Sequence, residues 1–359
     1  MAGAAFVFAS RALSADALPD ACRRSDAEEV HALLQKDATG LNALTGSPRR
    51  SALHWAVRGR TSQKEARLAV VRELLDRGAD MNLADENGET ILQAACQTGW
   101  DEALLDLLLA RGAAINHDGA KKGNGAHGGA PLHRAAARGD VRLVEFLLSR
   151  GADPNVPHHG KGDTPLMTVF GAPGDLFRWN DFSDERRRSD SVRILKLLLE
   201  KGADLKRANA EGEQAIHDAA GAQHLAAIRL LLAEGASAAA STTDGRTVLH
   251  FAASNPAKGE REIFATLLAA SKLEIDTADK NRRTPLHAAV ASASSQAVQS
   301  LLLLGANPAL RDSHAQRPVD LDKYLPLEDA TMDMLRRYTP PEDPPPEPSV
   351  KIVPSPPVI

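Results

Sequence analysis

The sequence predicts an all-α solenoid, in which helix pairs stack side by side and short β-hairpin fingers join one pair to the next. Three observations lead to this prediction. A heptamer of the type Thr-Pro-Leu-His-x-Ala-Ala recurs along the chain, a pair or triplet of leucines follows each copy, and Gly-Ala usually closes the leucine segment. Self-similarity at a fixed period is the sequence signature of repeat architectures. The copies begin at Ser51, Thr90, Ala130, Thr164, Gln214, Thr247 and Thr284.

The residues of one repeat account for its elements in order. The threonine that opens the motif is a good N-cap, and the proline after it suits the first helical position, where no N–H partner is needed. Leucine and the alanine pair then form a narrow apolar stripe that lets two helices approach closely. The glycine after the leucines of the second helix supplies the left-handed conformation that ends a helix. Dipeptides such as Asn87-Gly88 and Asp244-Gly245 predict the turn of a hairpin finger.

These motifs resemble the ankyrin repeat, whose Thr-Pro-Leu-His-x-Ala signature and period of about 33 residues they match. The resemblance covers residues 16–338, with about seven recognisable repeats plus a capping unit at each end. It implies a binding protein that recognises partners with its finger tips and the exposed side of its first helices, which together form a concave groove. It also implies that the recurring motif histidines hydrogen-bond neighbouring turns together. These are His54, His133, His217, His250 and His287.

Two end segments lie outside the predicted solenoid of residues 16–338. Residues 1–15 are apolar, and we expect them to be poorly ordered. No Lys or Arg precedes their apolar run, which argues against a secretory signal, while a weak organelle-targeting signal stays open. Residues 339–359 contain nine prolines with acidic residues between them, which predicts a disordered tail.

One repeat contains a long insertion, residues 171–190. The distance from Thr164 to the closing Gly202 is 38 residues, against 21 in a regular repeat. We expect a surface loop between the two helices of this repeat. Its aromatic residues either fold back onto neighbouring helices or anchor a partner protein, and both alternatives stay open. Ser189 follows three arginines and is a possible site for a basophilic kinase. The aromatic residues are Phe177, Trp179 and Phe182.

The chain carries no recognisable catalytic or cofactor motif, so we predict a protein that is not an enzyme and needs no cofactor. The motif histidines recur at one repeat position, which favours a structural role. A metal site at His158 and His159, with His127 and His133 upstream, is considered and not predicted, because no Cys or carboxylate stands beside them at ligand spacing. Two cysteines cannot form a disulfide framework.

The predicted function is that of a scaffold or adaptor that binds one or more proteins. The net charge of -4 argues against direct nucleic-acid binding, and no apolar run is long enough for a membrane span. A monomer in the cytoplasm, the nucleus or both is expected. The alternative is a substrate receptor of a ubiquitin ligase, because residues 324–335 resemble the start of an F-box. Candidate partner-binding residues are Trp55, Arg134, Asp218 and Phe251 on the groove and Phe177, Trp179 and Phe182 in the insertion.

Overall fold

The computed structural model describes residues 16–60, 62–119, 129–171, 184–255, 261–271, 274–321 and 329–339. The predicted N-terminal segment 1–15 and the tail from residue 340 onwards lie outside the described residues. The chain divides into two compact units, unit 1 (residues 1–244) and unit 2 (residues 245–359). The described residues of both units fold into helices and connecting turns, which confirms the predicted all-α repeat fold. None of the helices in these ranges is both long and apolar enough to cross a bilayer.

In unit 1 the helices come in consecutive pairs. The first helices of the pairs pack against each other in chain order, and the two helices of each pair also contact one another. Each repeat therefore buries its apolar side against its sequence neighbours, as in other repeat proteins. The helices are α1 (Ala17–Arg24), α2 (Ala27–Lys36), α3 (Ala52–Val57), α4 (Lys64–Asp76), α5 (Ile91–Gln97), α6 (Glu102–Ala110), α7 (Pro131–Arg138), α8 (Val141–Ser149), α9 (Pro165–Thr168), α10 (Glu185–Glu200), α11 (Ala215–Gly221) and α12 (Leu225–Ala233).

Unit 2 continues the same arrangement of helix pairs and ends with a capping helix. Met332 and Leu335 of this last helix are buried, and Gln299 Nε2 donates a hydrogen bond to Thr331 Oγ1 (2.9 Å). The cap therefore covers the preceding helix pair with its apolar side. The elements are α13 (Val248–Ala253), α14 (Arg261–Ala270), α15 (Pro285–Ala291), α16 (Ser295–Leu303), a 3-10 turn (Pro318–Leu321) and α17 (Asp329–Tyr338).

The core consists of the motif leucines of the first helices and the leucines of the second helices. Leu53, Leu132 and Leu286 are fully buried, as are Leu74 and Leu147 of the second helices. Burying one such side chain contributes roughly 1.5–3 kcal/mol relative to leaving it exposed. The period seen in the sequence is thus the period of a leucine-rich core.

Glycines close most of the second helices for a conformational reason. Gly151, for example, has φ +86°, and a Cβ added there would meet no atom within 4 Å. Glycine is therefore favoured at this position because the backbone is left-handed, and not because a side chain would lack space. Gly212 differs, because a Cβ there would lie 2.7 Å from the backbone nitrogen of Thr243 in the next finger.

The fingers differ from the predicted β-hairpins. In the described residues only an isolated bridge, between Thr45 and Arg50, has the geometry of paired strands. The finger at residues 85–89 is one tight turn, in which a side-chain carboxylate accepts backbone N–H groups that a paired strand would otherwise bind. Asp85 Oδ1 accepts the backbone N–H groups of Asn87 and Glu89 (2.9 Å each), and Asp85 N–H donates to Glu89 O (2.9 Å). In this turn the Asp85 side chain accepts the Glu89 N–H that would bond to the opposite backbone in a hairpin, so Asp85 and Glu89 do not form a strand pair.

The insertion 171–190 is only partly a loop. Its described end belongs to α10, which begins at Glu185 after the N-cap Asp184, whose side chain accepts Arg186 N–H (2.9 Å). The expectation of a surface loop up to residue 190 is wrong for this end. Ser189 therefore lies on an exposed turn of a helix. Phe177, Trp179 and Phe182 lie outside the described residues.

Candidate interaction surface

Two positions of the repeat bring their side chains together, as Arg50 and Trp55, Glu89 and Arg134, and Arg246 and Phe251 do. One is the residue before the motif threonine, and the other is the residue after the motif histidine, five positions later. We call the surface formed by these pairs the motif face. In unit 1 the pairs are Arg50 and Trp55, Glu89 and Ala94, Gly129 and Arg134, Asp163 and Thr168, and Glu213 and Asp218; in unit 2 they are Arg246 and Phe251, and Arg283 and Ala288.

The motif histidines hold the motif face in place. His250 Nε2–H donates to Arg283 O of the next finger (2.8 Å), and its Nδ1 accepts the backbone N–H of Thr247 (3.1 Å). His54 and His133 donate in the same way to Glu89 O (2.9 Å) and Asp163 O (3.0 Å). The histidines therefore fix the finger backbone of the neighbouring repeat, which is the structural role that the resemblance implies.

Three arginines surround a single buried carboxylate on the motif face of unit 1. Glu89, whose side chain is 4% exposed, accepts from Arg134 Nη1 (3.0 Å), pairs with Arg58 and lies 3.9 Å from Arg50. Arg50 also donates to Asp85 (3.1 Å). Such buried, charge-assisted hydrogen bonds hold side chains in a single geometry. Arg134, a predicted partner-binding residue, is thus engaged inside the protein and only 12% of its side chain is exposed.

Trp55 is also held by neighbours, but part of it remains accessible. The guanidinium of Arg50 lies 5.4 Å from the ring centroid, an arrangement that favours a cation–π contact. The indole lines a cavity of about 210 Å³ next to Arg23 of α1. Its Nε1–H is buried without a hydrogen-bond partner in the described residues.

The motif face of unit 1 carries a second, acidic cluster formed by Asp163, Glu213 and Asp218. Asn209 Nδ2 donates to Asp163 Oδ1 (2.7 Å) and to Glu213 Oε2 (2.9 Å), which fixes these two buried carboxylates. In the part of the chain that the structure describes, no lysine or arginine forms an ion pair with the three carboxylates; Lys161 pairs with Glu211 instead (2.9 Å). Lys161 interacts with the three carboxylates electrostatically, but among the described residues no cation is paired with any of them, so the cluster keeps a net negative charge when its carboxylates are ionised.

Within the acidic cluster, Asp218 is the carboxyl whose pKa is raised by the surrounding residues. It is partly exposed at the surface. Loss of hydration raises the pKa of its carboxyl well above the usual value, and the negative charges of Glu213 and Asp163 raise it further. Carboxylates that share a site without a cation disfavour the ionised form in this way.

Unit 2 presents a more basic motif face. A cavity of about 510 Å³ is lined by Arg246 and Arg283, by the single carboxylate Asp279 and by polar side chains such as Gln316. Phe251, another predicted partner-binding residue, is partly exposed, and the guanidinium of Arg246 lies 4.3 Å from its ring centroid. Unit 2 therefore repeats the pairing of an arginine with an aromatic ring that Arg50 and Trp55 form in unit 1.

The structure places the carboxylate of Asp118 beside His158 and His159, although the sequence shows no carboxylate near these histidines at ligand spacing. Asp118 Oδ2 lies 2.5 Å from His159 Nδ1, and one ligand atom from each of Asp118, His158 and His159 falls within 4.8 Å of the others. The reason for not predicting a metal site was the lack of a carboxylate close in sequence. That reason does not hold in the folded protein, because the two fingers lie side by side.

The residues before the motif threonines are functional candidates that the sequence analysis did not identify. Glu89, Asp163 and Glu213 provide three of the four carboxylates on the motif face of unit 1. The signal was present in the sequence, because these positions recur with the same period as the motif. It could be recognised only with the knowledge that a residue five positions before the variable one lies on the same surface.

Comparison with known proteins agrees with this architecture. The family model for ankyrin repeats matches three segments, residues 62–158, 187–279 and 241–312, which together cover more than half of the chain. The chain therefore belongs to the ankyrin-repeat family.

Several curated relatives share part of this repeat region. A probable E3 ubiquitin-protein ligase, XBOS32 from Oryza sativa subsp. japonica, is 27% identical over 58% of the chain and 42% of its own length. Ankyrin repeat and SOCS box protein 16 from Mus musculus is 37% identical over 29% of the chain and 23% of its own length. E3 ubiquitin-protein ligase XBAT32 from Arabidopsis thaliana is 31% identical over 40% of the chain and 26% of its own length. The chain spans less than half the length of each of these relatives.

Proposed function

We propose that the protein acts by binding other proteins rather than by catalysis, and that the motif face of unit 1 recognises a basic segment of a partner. The observation that carries this proposal is the acidic cluster of Asp163, Glu213 and Asp218, which has no paired cation among the described residues. The membership of the ankyrin-repeat family supports protein binding in general.

The acidic cluster is suited to a lysine or arginine side chain for an electrostatic reason. Its carboxylates are partly desolvated, so a cation placed among them interacts more strongly than it would at an open surface. Asn209 holds two of the carboxylates in position before binding, which lowers the ordering cost of association. A bound cation would also lower the pKa of Asp218, because it would offset the repulsion from Glu213 and Asp163.

The substitution Asp218→Asn tests this proposal. It removes one negative charge from the cluster while it keeps the size of the side chain. We expect the variant to be more stable than wild type above about pH 4. The pKa of Asp218 is higher in the folded than in the unfolded state, so above the unfolded pKa this carboxyl favours unfolding, and Asn removes that contribution. We expect the same variant to bind its basic partner more weakly, so that loss of binding cannot be attributed to unfolding.

The measurement combines thermal unfolding with affinity capture followed by zero-length carbodiimide cross-linking, which joins a partner lysine to a carboxylate in direct contact. Glu211→Gln is the matched control. Glu211 is an exposed carboxylate in the same finger as Glu213, and it is already paired with Lys161. Partners cross-linked to the acidic cluster should be lost with Asp218→Asn and retained with Glu211→Gln. Partner capture that is unchanged by Asp218→Asn would show that the acidic cluster is not the binding surface.

A second candidate function is that of a substrate receptor of a ubiquitin ligase. Two relatives bear the name of E3 ubiquitin-protein ligases, and a third bears the name of a SOCS box protein. The F-box-like segment 324–335 supports this candidate less well. Its described part lies in α17, where Thr331, Met332 and Leu335 are buried against the repeats. The test is co-purification with ligase subunits, for wild type and for Met332→Gln in α17. If both co-purify, the receptor function is favoured and a surface other than segment 324–335 binds the ligase.

A further inference from the structure

Two consecutive fingers of unit 1 bring together a set of side chains typical of a metal site. Asp118 comes from the finger after α6, whereas His158 and His159 come from the finger after α8. One ligand atom from each of the three lies within 4.8 Å of the others. Tetrahedral zinc sites with bonds of 2.0–2.1 Å have ligand atoms separated by about 3.3 Å, so the three groups fit inside one coordination sphere after small side-chain rotations.

The backbone holds these residues close together before any ion binds. His158 N–H donates to Asp163 O (2.8 Å), and Gly162 N–H donates to His158 O (2.9 Å), which closes the turn that carries both histidines. Gly129 N–H donates to Asp118 O (3.2 Å) and fixes the aspartate backbone. The rings of His158 and His159 stack with centroids 4.7 Å apart. A site arranged in advance in this way loses less conformational freedom on binding a ligand.

The carboxylate of Asp118 is not satisfied by the protein around it. Its Oδ2 accepts from His159, but its Oδ1 is buried without a hydrogen-bond partner in the described residues. A buried acceptor that lacks a partner carries a desolvation penalty. A cation at this position would satisfy the oxygen, which is an observation independent of the proximity of the three residues.

The histidine nitrogens can become available at low cost. His158 Nδ1 accepts the N–H of Gly160 (3.1 Å), so metal binding at either nitrogen of this ring releases that N–H, through displacement or through a change of tautomer. Gly160 is exposed, and water can replace the lost hydrogen bond. His159 Nδ1 faces Asp118 Oδ2, so an ion placed between the two groups would replace their direct contact and be bound by both.

We propose that Asp118, His158 and His159 form a binding site for a divalent transition metal ion that clamps two neighbouring fingers together. Two imidazoles and one carboxylate are a donor set that suits zinc, with water completing the coordination. The ion would join residues 41 positions apart in the sequence and would stiffen the finger side of unit 1. The three proposed ligands do not belong to the acidic cluster, although His158 N–H donates to the backbone carbonyl of Asp163, and metal binding goes beyond the proposed partner binding.

The test is a zinc titration of the full chain after dialysis against a chelator, with a chromogenic competitor to report the affinity. We expect one equivalent of zinc to bind with a dissociation constant of about 1 μM or tighter, and zinc to raise the melting temperature. Cobalt(II) bound at the same site should show the visible absorption of a low-coordinate centre with nitrogen and oxygen ligands.

Substitutions identify the ligands. Asp118→Asn, His158→Ala and His159→Ala should each weaken zinc binding at least about 10-fold. His117→Ala is the matched control, because His117 is an exposed neighbour of Asp118 that lies outside the three-residue group, and it should leave the affinity unchanged. Circular dichroism of each variant without metal separates loss of a ligand from loss of the fold. Absence of saturable binding, or binding that none of the three substitutions weakens, would show that Asp118 and His159 form an ion pair only.

Discussion

At the scale of single residues, the motif position accepts histidine or glutamine because both make the same two hydrogen bonds. Gln93 Oε1 accepts Thr90 N–H (2.8 Å), and its Nε2 donates to Gly129 O (2.6 Å). His250 makes the equivalent bonds through Nδ1 and Nε2. The two side chains differ in titration, since only histidine gains a proton near neutral pH. The buried histidines should therefore make folding sensitive to acid.

His133 provides the clearest test of this sensitivity. Burial lowers the pKa of His133 to about 4, against about 6.5 in the unfolded chain. The unfolded state then binds more protons, so stability is complete above pH 6.5 and is lost as the pH falls towards 4, by about 3 kcal/mol in total. His133→Gln should reduce this loss. Urea unfolding between about pH 7 and pH 4 measures it, with the exposed His314→Gln as control; an unchanged slope in His133→Gln would contradict the argument.

At the scale of helices, the sequence was sufficient to predict those helices that are marked by periodic apolar residues. The helix pairs follow from the spacing of motif leucines such as Leu132 and from the closing glycines. The start of α10 could not be predicted in this way, because residues 185–190 are polar and are held by the N-cap Asp184 and by a pair between Arg186 and Asp190 (3.8 Å). The neighbouring side chains of Asp118 and His159 depend on how two fingers align, which no local pattern encodes.

The helix α7 is the one for which capping can be tested most directly. It begins after Ala130, which offers no side chain for the cap, and Nδ1 of His133 is buried with no hydrogen-bond partner among the described residues. Thr247 and Thr284 occupy the equivalent position elsewhere, are equally buried, and hydrogen-bond to the histidine Nδ1 (2.9 Å each). Ala130→Thr should therefore fit and stabilise the protein by about 1 kcal/mol.

Thermal unfolding measures the effect of Ala130→Thr. Thr284→Ala is the converse substitution and should destabilise unit 2 by a similar amount, since it removes the hydroxyl that hydrogen-bonds to His287 Nδ1 in α15. Destabilisation by Ala130→Thr would indicate that the space around α7 cannot hold the larger side chain, and that the lack of a cap there is a packing requirement.

At the scale of the whole molecule, the two units present different charges on their motif faces. Unit 1 ends in the acidic cluster of Asp163, Glu213 and Asp218, whereas unit 2 carries Arg246 and Arg283 beside its cavity. The near-neutral net charge of the chain conceals this separation, because opposite local charges cancel in the total. Each unit therefore has its own electrostatic preference, and partner specificity should be assigned to units and not to the chain as a whole.

The division into units also determines which helices lose stability after a substitution in the core. Leu132 in α7 is fully buried, and Leu132→Ala should cost about 2–5 kcal/mol through the lost contacts and the cavity left behind. Because repeats contact only their neighbours, amide hydrogen exchange should accelerate most in α5 to α10 and remain unchanged in α13 to α16 of unit 2. Leu286→Ala, the equivalent change in α15, should give the opposite pattern. Equal loss of protection in both units, from either substitution, would mean that the chain unfolds as a single cooperative body.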